Sequence, residues 1–124
     1  MDTRVKILSP DSLGRVRAEA RRLKLVVGYF DPLLAAHARR LAELRRPGDT
    51  LVVVVREMEG SLLPLRARAE LVAALGVVDW VIPAQDAEAI IERLAPDEVV
   101  REEEADLERR QELIRLVRAR CGAG

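Results

Sequence analysis

LKLVVGYFDPLLAAHARRLAELRRPGDTLVVVV, residues 23–55, decides the fold. Leu23 to Phe30 is an apolar run closed by a glycine, too short for a buried helix and suited to a strand covered on both faces. Asp31 and Pro32 break it. Leu34, Ala38, Leu41 and Leu44 then recur at helical spacing over Leu33 to Arg46, until Pro47, Gly48 and Asp49 stop the helix. Thr50 to Val55 follows as a β-branched, uncharged run that implies central burial. A strand, a crossover helix and a second strand make a βαβ unit with parallel pairing.

Outward from this unit the alternation continues. Upstream, Ser9 is an N-cap candidate, Pro10 suits the first helical position, and Leu13, Val16 and Ala20 have helical spacing, which predicts a helix from Ser9 to Arg22. Downstream, a loop with Glu57, Glu59, Gly60 and Ser61 leads into a helix over Leu65 to Leu75. Gly76 then releases the chain into a strand over Val77 to Ile82. Asp86 caps a helix running through Leu94, Pro96 ends it, and Glu98 to Val100 gives a short fourth strand. Glu102 to Arg120 reads as a long charged helix with Leu107, Ile114, Val117 and Cys121 on one stripe. The expected architecture is α/β: one domain over 1–124, a three-layer Rossmann-like sandwich around a short four-stranded parallel sheet. An open edge and the stripe of the last helix, which a small domain does not fully cover, lead us to expect a homodimer.

Composition narrows the function. Of the 124 residues, 49% are apolar and 34% charged, enough apolar side chain to offset ordering entropy and exclude a disordered chain. Lys and Arg number 21, as do Asp and Glu, so no whole-molecule field would gather nucleic acid or an anionic membrane. Residues 1–46 are basic and the remainder acidic, which would let the first third face an anionic small ligand. The single cysteine, no run long enough to span a membrane and no basic-then-apolar leader pattern lead to the expectation of a cytoplasmic protein. Neither a Gly-x-Gly-x-x-Gly nor a P-loop sequence occurs at a strand-to-helix turn, which excludes ordinary dinucleotide and P-loop sites.

In an open α/β sheet, ligands bind at the carboxyl ends of the strands, which singles out the turn from Gly28 to His37. It holds Tyr29 and Phe30, the only histidine, and a glycine where a backbone needs close approach. A strand-ending glycine before a helix whose first N–H groups face the crevice forms an anion site, to which His37 adds a donor and Arg39 or Arg40 adds positive charge. The plainer roles for these residues are structural: Gly28 for a tight turn, Phe30 for the core, Asp31 for capping the helix.

VVGYFDPLLAAHARRL, Val26 to Leu41, resembles the signature of the nucleotidylyltransferase superfamily, in particular its cytidylyltransferase-like branch, whose turn reads Gly-x-Phe-Asp-x-x-His-x-Gly-His. Gly28, Phe30, Asp31 and His37 match, while Leu34 stands in place of the first histidine and Ala36 in place of the second glycine. Gly48 to Val55 and Arg68 to Pro83 extend the resemblance. It implies a nucleotide or phosphate site at Gly28, Tyr29, Phe30, Asp31 and His37, with His37 as the remaining catalytic residue. It also implies transfer of a nucleotidyl group from CTP or ATP to a phosphorylated sugar or alcohol, Mg²⁺ arriving with the nucleotide in an active member, and dimerisation.

Three departures weigh against turnover. Leu34 cannot donate a hydrogen bond, and losing one such donor typically costs on the order of a hundredfold to a thousandfold in rate. REMEGSLLP, with Glu57 and Glu59, stands where the family places a basic loop, and REEEADLERRQ stands where it places a Ser/Thr-rich segment. Two readings follow: a pseudoenzyme keeping at most a mononucleotide or phosphate site and needing no cofactor, or an active transferase. Arg68 matches a basic family position but reads as an exposed helical arginine. Glu102, Glu103 and Glu104 form no metal site, since consecutive helical residues point in different directions.

Overall fold

The computed structural model describes residues 2–121. Its four strands, β1 (Arg22–Gly28), β2 (Asp49–Arg56), β3 (Trp80–Ala84) and β4 (Glu98–Arg101), form one parallel sheet in the order β3-β2-β1-β4. The helices are α1 (Leu13–Glu19), α2 (Ala35–Leu44), α3 (Leu65–Ala73), α4 (Ala87–Leu94) and α5 (Glu103–Cys121). Because side chains alternate across a strand, Leu23, Leu25, Val27, Val52 and Val54 face α1 and α4, while Val26, Leu51, Val53 and Val55 face α2 and α3. This is the three-layer Rossmann-like α/β sandwich. From β1 through β3 the chain steps in one direction, and it then returns to place β4 on the far side of β1. The order reverses between β1 and β4, so the ligand crevice opens at their carboxyl ends.

Several boundaries move. The first predicted helix is divided: Ser9 precedes a 3-10 turn, Pro10–Ser12, without a side-chain cap, and α1 begins only at Leu13. The helix predicted over Leu33 to Arg46 is α2, shorter at both ends, with Leu34 extended as its N-cap. The third strand lies later than Val77 because the Asp79 carboxylate accepts the Leu51 N–H at 2.8 Å, holding that segment in a turn before Trp80. On α5 the side chain buried against the body is Asp106, while Leu107, Leu116 and Val117 are 38%, 54% and 51% exposed. Of the two sheet edges, β3 is partly covered by a bridge from Ile7 to Val81, and β4 keeps Val99 exposed. No helix among the described residues is long and apolar enough to cross a membrane.

Candidate functional site

Gly28 ends the central strand, and Tyr29, Phe30 and a cis Asp31–Pro32 peptide carry the chain round into α2. Phe30 has φ of 49°, a left-handed conformation that costs a β-carbon-bearing residue on the order of 1 kcal/mol. Its buried ring holds it there, lying 5.2 Å from the His37 ring at a tilt of 57°. In this turn the N–H groups of Tyr29 and Phe30 converge on one point. That point is occupied by Asp106 Oδ2, at 2.8 Å and 3.3 Å. A Cβ on Gly28 would collide with the same oxygen and come within 2.9 Å of the Phe30 ring, so only glycine leaves room for the carboxylate.

His37 completes the cluster from the first turn of α2. Its Nδ1 accepts the Leu34 N–H at 2.9 Å, which places the imidazole proton on Nε2. Nε2 lies 2.7 Å from Asp106 Oδ1 but off the hydrogen-bond line, so this buried nitrogen has no well-formed partner among the described residues. Arg109 Nη1 donates to the same Oδ1 at 3.1 Å. Beside the cluster is a void of about 10 Å³ lined in part by Val26, Phe30, His37 and Leu41, room for one water at most.

A second buried pair fixes the turn from below. Asp31 does not cap α2; it accepts the N–H groups of Leu62 and Leu63 at 2.7 Å and 2.9 Å and the Arg110 Nε at 3.1 Å, clamping the loop after β2. Arg68, expected on an exposed helix face, is fully buried. Its guanidinium donates to the carbonyls of Leu63, Tyr29 and Arg56 at 3.0, 2.8 and 2.8 Å, and to Glu57 Oε1 at 3.2 Å. It therefore ties the ends of β1 and β2 to the loop and neutralises Glu57, one of the two acids expected to repel a nucleotide. Glu59 is exposed.

Around the rim, the acids at the start of α5 meet arginines from other elements. Glu102 accepts from Arg40 Nε at 2.7 Å, and Glu103 pairs with Arg56 and with Arg101, whose Nε lies at 2.7 Å. The hydrogen bond from Arg101 holds the Glu103 carboxyl below its ordinary pKa, against the opposing effect of burial and with help from Arg56. The Arg56 guanidinium also lies 5.6 Å from the centre of the Tyr29 ring.

Of the residues singled out in the sequence, the structure thus brings Gly28, the Tyr29 and Phe30 amides and His37 to one point, and turns Asp31 away to the loop. Arg40 is committed to Glu102 and Arg39 is exposed on α2. The amides that converge on the Asp106 carboxylate are those of the turn, Tyr29 and Phe30, and the N-cap amide of α2, Leu34, is taken by His37 Nδ1. Asp106 and the burial of Arg68 are what sequence reasoning misses. A signal for Asp106 does exist, in its position one helical turn after Glu102 and before Arg109 and Arg110, a polar face at helical spacing.

No family model matches the chain. It is 37% identical over 101 residues, 73% of its length, to the bifunctional protein HldE of Halorhodospira halophila. It is 35% identical over 96 residues, 68% of its length, to HldE of Hydrogenovibrio crunogenus, and 33% identical over 115 residues, 81% of its length, to HldE of Edwardsiella ictaluri. These matches cover 21%, 20% and 24% of the relatives, so the chain spans about a fifth of their length. The homology supports a cytidylyltransferase-like family and a nucleotidyltransferase-like, Rossmann-like fold.

Proposed function

We propose that this cytidylyltransferase-like chain keeps a phosphate or mononucleotide site at the turn from Gly28 to His37 and has lost all but a trace of nucleotidyl transfer. The observation that supports this reading is the gathering of the Tyr29 and Phe30 N–H groups and His37 Nε2 around one anionic group, the amides on Asp106 Oδ2 and the imidazole nitrogen beside Oδ1. Phosphoryl and carboxylate oxygens make the same demand of such donors.

Transfer asks more of the site than binding does. An oxygen of the acceptor phosphate must attack the α-phosphorus while pyrophosphate leaves, and the growing charge needs donors already in place. Leu34 has no side-chain donor, and its N–H is spent on His37 Nδ1. A nucleotide phosphate approaching His37 also meets the Asp106 carboxylate; two unit charges 4 Å apart repel by about 4 kcal/mol at an effective dielectric of about 20.

Similarity to HldE proteins at 33–37% identity supports the second reading, an active enzyme moving CMP or AMP from CTP or ATP to a phosphorylated sugar or alcohol. The test is pyrophosphate release from CTP or ATP with Mg²⁺ and a panel of phosphorylated sugars and polyols. Background release is expected, with CMP and CTP binding alike in the millimolar range, about 4 kcal/mol. Robust release abolished by His37→Ala would establish the enzyme instead. We also infer a homodimer, supported by the exposed Leu107, Leu116 and Val117 on α5 and the open β4 edge. Light scattering at high micromolar concentration should then give twice the mass of one chain.

A further inference from the structure

We infer that Asp106 is the resident occupant of an oxyanion seat, and that an outside phosphate or carboxylate binds at the end of β1 only by displacing it. The inference rests on reading the turn as an anion site and adds how that site is controlled.

Two independent features show a seat and not a chance contact. The first is the space: Gly28 leaves a hollow that a Cβ would fill, and the Asp106 carboxylate lies in that hollow with both oxygens engaged, Oδ2 on two backbone amides and Oδ1 toward His37 and Arg109. The second is a mismatch. His37 Nε2 is buried, aimed into the hollow and 2.7 Å from Oδ1, yet lacks a well-aligned hydrogen bond. As it lies on the amides and Arg109, the carboxylate is not aligned with His37. A tetrahedral oxyanion has a third oxygen to offer in a different direction.

The carboxylate reaches the seat because the start of α5 is drawn onto the basic rim. Glu102 pairs with Arg40 and Glu103 with Arg56, and the Glu102 N–H donates to the Val27 carbonyl at 2.8 Å, continuing the sheet ladder into the helix. One turn later Asp106 faces the hollow. The charge run at the start of α5 therefore closes the crevice, and anything that loosens this turn of helix opens it. The ligand class is a small oxyanion, inorganic phosphate or the phosphate of a mononucleotide, in competition with the chain's own carboxylate.

The experiment compares the wild-type protein with Asp106→Ala and Glu104→Ala. Glu104 is exposed in the same turn of α5, so its loss removes an equal charge while leaving the seat filled. Inorganic phosphate, formate and CMP are titrated, following the amide resonances of Tyr29 and Phe30 and the melting temperature. Expected is phosphate binding at least tenfold tighter in Asp106→Ala, with formate also raising its melting temperature, and at most a twofold change in Glu104→Ala. Equal tightening in both variants would mean that charge alone is at work and would overturn the seat. Equal phosphate affinity in wild type and Asp106→Ala, with shifts at 28–37 in both, would overturn displacement while leaving the phosphate site standing. Formate filling Asp106→Ala where phosphate and CMP bind neither protein would support the seat and sink the nucleotide reading. Should Asp106→Ala not fold alone, tens of millimolar formate or phosphate should restore folding, and failure to do so would also overturn the proposal.

Discussion

The two ends of the β1–α2 unit each bury a charge, and the signs are opposite. At the amino end of β1, Lys24 is buried with its Nζ on the Leu44 carbonyl at the end of α2 and 3.2 Å from both Asp49 Oδ2 and Glu98 Oε2. At the carboxyl end, the Asp106 carboxylate lies on the turn that opens α2. Strand and helix run antiparallel, so the carbonyl end of the helix lies beside the start of the strand and attracts a cation, while the amide end lies beside the strand's finish and attracts an anion. The Lys24 ammonium has three protons and three acceptors, and is closed. The opposite end keeps His37 Nε2 without an aligned partner. Burial of a charge is common to both ends, and so is a buried polar atom without an aligned hydrogen bond, Asp49 Oδ1 at the first and His37 Nε2 at the second. The difference is that the open atom is an acceptor at the amino end and a donor, able to serve an anion, at the carboxyl end.

The largest expected effect comes from removing what holds the carboxyl end together. Arg68→Leu leaves the Tyr29 and Arg56 carbonyls without their donor and should cost about 3–5 kcal/mol by urea denaturation. Arg68→Lys should recover less than half of it, since one ammonium cannot span the acceptors that the guanidinium reaches. A loss under about 1 kcal/mol, ordinary for a surface residue, would break the contrast with an exposed arginine.

At the amino end, Lys24→Met strands the Asp49 carboxylate and should cost about 3 kcal/mol, most of it regained in Lys24→Met with Asp49→Asn, because the neutral amide no longer needs a cation. No recovery in the double variant would show that the Lys24 cluster is not the closed set described. Gly28→Ala should cost about 1–3 kcal/mol by pushing the Asp106 carboxylate off the turn. The same change in an Asp106→Ala background should cost at least about 1 kcal/mol less, a coupling that a double-mutant cycle measures. Additive losses would mean that the hollow and the carboxylate are unrelated.

Acid should weaken both ends gradually. For Asp49, burial raises the carboxyl pKa, but the Arg46 N–H, Lys24 and Arg22 outweigh it and hold it below the ordinary value; Arg101 leads the lowering at Glu103. Carboxyls lowered by folding stabilise fully above their unfolded pKa of about 4 and lose that contribution as pH falls through the lower folded values. Melting temperature should therefore be flat from about pH 7 to 5 and fall below about pH 4, less steeply in Glu103→Gln. A fall already complete at pH 5 would contradict this.

Much of the fold is legible in the order of residues alone. TLVVVV can only be a central strand, and Asp86 caps α4 by accepting the Ala89 N–H at 3.1 Å. Helix ends are less legible because caps are settled by single hydrogen bonds: Leu34 is an N-cap only because His37 reaches back to it. The site is half legible. Gly28, the Tyr29 and Phe30 amides and His37 are neighbours in sequence, so local spacing is enough to bring them to one turn.

The sequence by itself determined the alternation of strands and helices, the parallel sheet and the location of the crevice at the end of β1, because hydrophobic periodicity and turn residues act locally. Only the tertiary structure decided that Asp31 serves the loop at Leu62 and Leu63, that Arg68 is buried, and that α5 turns Asp106 inward in place of its apolar stripe. Each of those depends on a partner from a distant part of the chain. A carboxylate finds its donors by position in space, and no spacing within one helix tells whether a backbone turn 76 or 77 residues earlier has two amides waiting for it.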